Sequence, residues 1–97
     1  MRIVVVISTG DAPYQIIDAR ENWEVRYFKN DDPTQLFWHR DKEYREVELL
    51  WGSIEIQMDN CLPMSMVPGQ SVYISEDRYH RVIADSAFAV KIYKYSK

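Results

Sequence analysis

The chain has 97 residues, 46% of them hydrophobic and 28% charged, with a formal net charge of −3. That length supports one hydrophobic core and leaves no room for a second. The acidic balance supplies no basic footprint for nucleic acid or an anionic membrane surface, and a lone cysteine, Cys61, excludes both an intrachain disulfide and a cysteine-based zinc cluster.

Residues 2–8 (RIVVVIS) are β-branched and uninterrupted, the pattern of a strand covered on both faces or by a partner subunit. The apolar run at residues 3–7 is too short for a signal-peptide core or a membrane helix. With no targeting or lipidation motif, a cytoplasmic address is the expectation. Residues 9–13 (TGDAP) form a turn. Residues 14–22 fit either one or two helical turns or a short strand at 15–18.

From Trp23 the β signal is plain. In WEVRYF, Trp23, Val25 and Tyr27 alternate with Glu24 and Arg26, which predicts a half-buried strand with its aromatic side inward. Residues 29–33 (KNDDP) turn the chain. Further strands are expected at 34–40, 44–51, 53–58, 71–75 and 87–95, with a short apolar piece at 64–67 and a polar loop at 76–79 leading to His80. In 53–58, Ile54, Ile56 and Met58 share a face; in 87–95, Phe88, Val90 and Ile92 oppose Lys91, Tyr93 and Tyr95. Short strands with turn chemistry between them and no long amphipathic helix make an all-β barrel or sandwich.

Two histidines and one carboxylate stand out. His39 and Asp41 are two apart on the expected strand, so their side chains share a face with Phe37. The surface reading of such a pair is a hydrogen-bonded strand end. His80, after the 71–75 strand, is placed to return to the same pocket, completing the 2-His-1-carboxylate set used by non-haem iron. Counting back from Gly52, Trp51, Leu49, Val47 and Arg45 share one face, while Leu50, Glu48 and Glu46 share the solvated one. Arg45 therefore points inward, beside the candidate metal triad. A guanidinium about 4 Å from a unit charge is worth roughly 4 kcal/mol at an effective dielectric of 20, so it opposes a metal ion and favours Asp41 as a salt-bridge partner. Ser75 and Cys61 read as strand-end and turn packing, since neither stands in a nucleophile context.

These residues resemble a small single-domain cupin. The first cupin motif is a histidine, one residue, a second histidine, three or four residues, a glutamate, six residues and a glycine. Here His39, Asp41, Arg45 and Gly52 take those places. The second motif runs glycine, five residues, proline, one, glycine, two, histidine, three, asparagine, and Gly69, Ser75, Asp77, His80 and Ala84 occupy it. The frame spans about residues 36–92. It implies a double-stranded β-helix (jelly-roll) barrel over residues 1–97, with 23–97 as the barrel and 1–22 as an N-terminal extension used in homodimerisation. It also implies a central pocket holding His39, Asp41, Arg45 and His80.

Three readings follow. In one, the pocket takes a small molecule, with His39 and His80 as hydrogen-bonding groups and Arg45 paired to Asp41 or to an anionic group of the ligand; Trp38, Trp51 and Tyr73 are candidate walls. In another, His39, Asp41 and His80 bind a divalent transition metal (Fe, Mn, Zn or Ni) in an oxygenase or isomerase, and Arg45 holds a substrate carboxylate. In the third, the barrel is only a scaffold for a dimer. Lys91 falls on the outer face. Fold alone does not choose among them.

Overall fold

The computed structural model describes residues 14–29 and 38–95, together with the backbone of Val5 and Val6. The described residues contain nine β-strands: β1 (Val5–Val6), β2 (Tyr14–Ala19), β3 (Trp23–Phe28), β4 (Tyr44–Trp51), β5 (Ile54–Met58), β6 (Met64–Met66), β7 (Ser71–Ile74), β8 (His80–Ile83) and β9 (Phe88–Tyr95). They are all antiparallel and form two sheets, ordered β1-β2-β3-β9-β4-β7 and β6-β5-β8. No described helix is long and apolar enough to cross a membrane.

Of the residues left open at 14–22, Tyr14–Ala19 form a strand rather than a helix, because they hydrogen-bond along β3, with a register shift between Ile16 and Asp18. β8 was not expected as a strand; its four residues are recruited by pairing with β5, Met58 lying opposite His80. Of the expected strand at 2–8 only Val5–Val6 is described. The turns at 9–13 and 30–33 and the stretch 34–37, with Phe37, lie outside the described residues.

The core lies between the two sheets. Leu49, Ile54, Ile56, Met66, Ile74, Phe88, Val90 and Ile92 are buried there, and Phe28 stacks on Phe88 with ring centroids 4.6 Å apart. At about 25 cal/mol per Å² of apolar surface removed from water, side chains of this size contribute roughly 1.5–3 kcal/mol each. Gly52 makes the tight connection between β4 and β5 possible. Its φ is +97°, and a Cβ there would stand 2.6 Å from Phe88 Cβ and 2.9 Å from the Ala87 carbonyl. Only glycine fits both constraints.

Two faces differ from expectation. On β3 the inner side chains are Glu24, Arg26 and Phe28, which lie opposite Ile92, Val90 and Phe88 of β9. Trp23 and Tyr27 are on the outer face, where Arg20 and Lys91 cover Trp23 and Tyr27 meets Trp51 edge-on. On β4 the register shifts between Leu49 and Trp51. This bulge turns Trp51 outward, to 49% exposure, while Leu49 is fully buried. A bulge inserts one residue and so reverses the alternation beyond it.

Candidate functional site

One cavity of about 400 Å³ opens between the sheets, in the size range of small-molecule sites. Its wall is mostly apolar, with Tyr14, Phe28, Val47, Ile56 and Phe88 among the lining residues, and the polar members are Arg26, His39, Asp41, Arg45 and His80. All four residues singled out from the sequence therefore meet in one pocket. Trp38 lines it as well, but Trp51 and Tyr73 do not; Tyr73, at 57% exposure, faces outward beside Tyr44 and Glu46.

The main chain sets the positions of the two histidines. His39 is not in an extended strand; it forms an isolated antiparallel bridge with His80. The two residues exchange both backbone hydrogen bonds, each 2.9 Å long, and such a pair puts its side chains on the same face. The rings consequently lie 4.3 Å apart, centroid to centroid, at 58°. Asp41 follows in a loop, where its carbonyl accepts a 2.7 Å hydrogen bond from the Asp77 N–H. Asp77 has φ +59°, the left-handed conformation that aspartate tolerates better than most residues. The place occupied by glycine in the motif keeps its backbone shape here with a different side chain.

The donor atoms converge. Nε2 of His80 is 3.5 Å and Nε2 of His39 is 4.0 Å from Asp41 Oδ2, and one donor atom from each of the three residues lies within 4.8 Å of the others. Oδ2 is buried and makes no hydrogen bond, an unusual condition for a carboxylate oxygen. Nδ1 of His80 lies 2.8 Å from the Arg78 carbonyl. A carbonyl only accepts, so Nδ1 carries the proton and donates, leaving the Nε2 lone pair turned toward Asp41 in the neutral ring. Burial holds the His80 imidazole below its usual pKa; the hydrogen bond to the Arg78 carbonyl and the Asp41 charge oppose this, while His39 and Arg45 add to it. Neutral His80 is thus favoured.

Arg45 is half turned away from this cluster. Its Nη1 lies 3.1 Å from Asp41 Oδ2, while its Nε and Nη2 reach Glu43 Oε1 at 2.9 and 2.7 Å. Glu43 therefore offsets much of the guanidinium charge from the side away from the cavity. The three donors fit a divalent ion: a neutral imidazole with its tautomer fixed by a backbone carbonyl, a second imidazole, and a carboxylate oxygen with an open lone pair.

Sequence reasoning missed Arg26. Its neighbour Glu24 is shared, Oε2 accepting from Arg26 Nε and Oε1 from Lys94 Nζ at 3.0 Å. Phe28, in phase with Glu24 and Arg26 at the end of the strand, was the signal that this face turns inward. Cys61, expected to fill space, is exposed in the turn after β5, with Arg78 Nη2 3.4 Å from its Sγ.

No protein-family model matches the chain, and no curated protein matches it by sequence. Solved structures do match in shape. A cupin-2 domain protein from Shewanella frigidimarina aligns with 81% of this chain and 76% of its own, at 14% identity and a TM-score of 0.64. An RmlC-like cupin from the same organism aligns with 100% and 86%, at 8% identity and a TM-score of 0.68. FeII HppE aligns with 97% of this chain, which spans 56% of that protein, at 12% identity and a TM-score of 0.72. With antiparallel sheets enclosing this pocket and no helix among the described residues, the chain folds as a small cupin-type barrel.

Proposed function

We propose that this chain is a small cupin-type binding protein whose pocket holds a divalent transition metal on His39, Asp41 and His80 and takes a small anionic ligand beside it. The observation that carries the metal is the Asp41 Oδ2 atom, buried and without a hydrogen bond between two imidazoles. A buried acceptor left unmade costs about 1–3 kcal/mol, more when charged, and a cation between these donors removes that cost. FeII HppE among the fold neighbours makes iron the first ion to try, with manganese, zinc and nickel next.

A bound metal in such a set polarises a ligand oxygen, and iron also activates dioxygen. The chain's own residues do the rest. The Arg78 carbonyl orients His80, the Asp77 N–H fixes the Asp41 loop, and the apolar wall excludes water from the ligand. A second reading, a metal-free ligand pocket, draws on the 3.1 Å approach of Arg45 to Asp41, which gives that carboxylate a cation already.

Calorimetric titration with Fe(II), Mn(II), Zn(II) and Ni(II) decides between them. The metal reading expects about one equivalent bound by the native chain and none by Asp41→Asn or His80→Ala at the same concentrations. If no ion binds the native chain, the triad is not a metal site and the metal-free reading stands.

A further inference from the structure

Arg26 is the polar group of the pocket that the metal reading leaves without a role. Its side chain is only 12% exposed, it lines the cavity, and its guanidinium lies over the Tyr14 ring at 4.3 Å. Its Nε donates to Glu24, and among the described residues neither Nη donates to any acceptor. Glu24 is itself shared with Lys94, so one carboxylate serves two cations. Around the cavity two guanidiniums, Arg26 and Arg45, face a single carboxylate, Asp41. Glu24 and Glu43 pair with these guanidiniums, so what Arg26 leaves available to the cavity, among the described residues, is an unused pair of planar donors.

The position is separate from the triad. Arg26 stands opposite Val90, whereas Arg45 stands opposite Lys94. The two arginines are therefore two strands apart on the six-stranded sheet and displaced by four residues, roughly 13 Å along β9. Between them the inner face presents Val90, Ile92 and Val47. An apolar floor ends at a guanidinium whose free edge is suited to two parallel N–H···O bonds.

We infer that Arg26 anchors the carboxylate of a ligand with an apolar body, which lies across Val90 and Ile92 with its other end toward His39, Asp41 and His80. The inference rests on the pocket being a ligand site, and it names the class of ligand. A planar carboxylate matches the two Nη groups bidentately, and charge-assisted bonds of this kind are about twice as strong as neutral ones. The apolar wall favours an alkyl or aryl body over a polyol.

Hexanoate and hexanamide, which share a body and differ in charge, are the probes, titrated calorimetrically into the full chain after EDTA treatment and again after loading with Ni(II). Hexanoate is expected to bind at least tenfold more tightly than hexanamide in both states, and Arg26→Gln to abolish that preference. Equal binding of the two probes to the native chain overturns the inference, and this comparison decides the matter even if Arg26→Gln does not fold. So does a preference that survives in folded Arg26→Gln, or one that appears only after Ni(II) loading, since the carboxylate then sits on the metal. Failure to bind either probe overturns the ligand pocket itself. Absence of Ni(II) binding with the hexanoate preference intact removes the metal and leaves Arg26 as the anchor.

Discussion

Arg45 and Asp41 approach to 3.1 Å as an ion pair, but the contact is not a hydrogen bond and the Asp41 oxygen remains without one. In the cupin motif that resembles this stretch, the place of Arg45 belongs to a glutamate ligand. The barrel accommodates the exchange because Glu43 holds the guanidinium from the other side.

Arg45→Glu is therefore expected to raise affinity for Ni(II) by tenfold or more, since it removes a cation worth up to roughly 4 kcal/mol at an effective dielectric of 20, reduced by the Glu43 pairing. The same change places a third carboxylate beside Asp41 and Glu43, so the metal-free variant melts at a lower temperature than the native chain and recovers on metal addition. Calorimetry and thermal melts with and without Ni(II) check both halves. Unchanged affinity removes Arg45 from any influence on the site.

Gly52 and Gly69 share a positive φ, +97° and +95°, but a Cβ at Gly52 collides with Phe88 and the Ala87 carbonyl, whereas one at Gly69 meets open space. Gly69→Ala is expected to cost about 1 kcal/mol, the conformational penalty alone. Gly52→Ala adds overpacking of roughly 1–3 kcal/mol. Urea unfolding of the two variants should separate them; equal losses show that the backbone near Phe88 relaxes freely.

Glu24 has its carboxyl held below the ordinary range: burial pushes it up, but hydrogen bonds and charges from Lys94 and Arg26 outweigh that. A depressed folded-state pKa stabilises the fold above the unfolded value, 4.5, and that contribution is lost as pH falls through the folded one. Native chain and Glu24→Gln should accordingly differ most in stability near neutrality and converge below about pH 4. A stability gap that persists undiminished to pH 3 shows that packing, not charge, makes Glu24 useful.

Asp77 holds the loop of Asp41 through its backbone. Asp77→Gly keeps the left-handed conformation and the N–H, so metal affinity should stay within about threefold, a change of under 1 kcal/mol. Asp77→Val puts a β-branched residue at φ +59° and is expected to lower stability by about 1–3 kcal/mol, with weaker metal binding. Similar metal affinity in both variants, despite the strain, makes the Asp77 contact to Asp41 incidental to the site.

Much of the site was legible because motif spacing survives where motif chemistry does not. His39, Asp41, Arg45 and His80 keep the cupin intervals, and Val47 and Leu49 keep the inward phase of β4. Arg26 was hidden by composition. Trp23, Val25 and Tyr27 look like the core side of β3, yet both faces of that strand are covered, Val25 being buried on the outer side while Phe28 is buried on the inner. When both sides of a strand are shielded, hydrophobicity ceases to report which one is inside. Trp51 was misplaced for a different reason, since a bulge that reverses alternation leaves no mark in the alternation before it. The loop carrying Asp41 likewise reads as strand in sequence, but its hydrogen bond goes to Asp77.

The reciprocal backbone bonds between His39 and His80 have a consequence for how this pocket can change its chemistry. Imidazole spacing is written into amides and carbonyls, which every substitution except proline leaves in place. Positions 39 and 80 therefore behave as a socket: new donors introduced there arrive already aimed at Asp41, and the choice of ion or ligand can be exchanged while the frame that receives it is inherited unchanged.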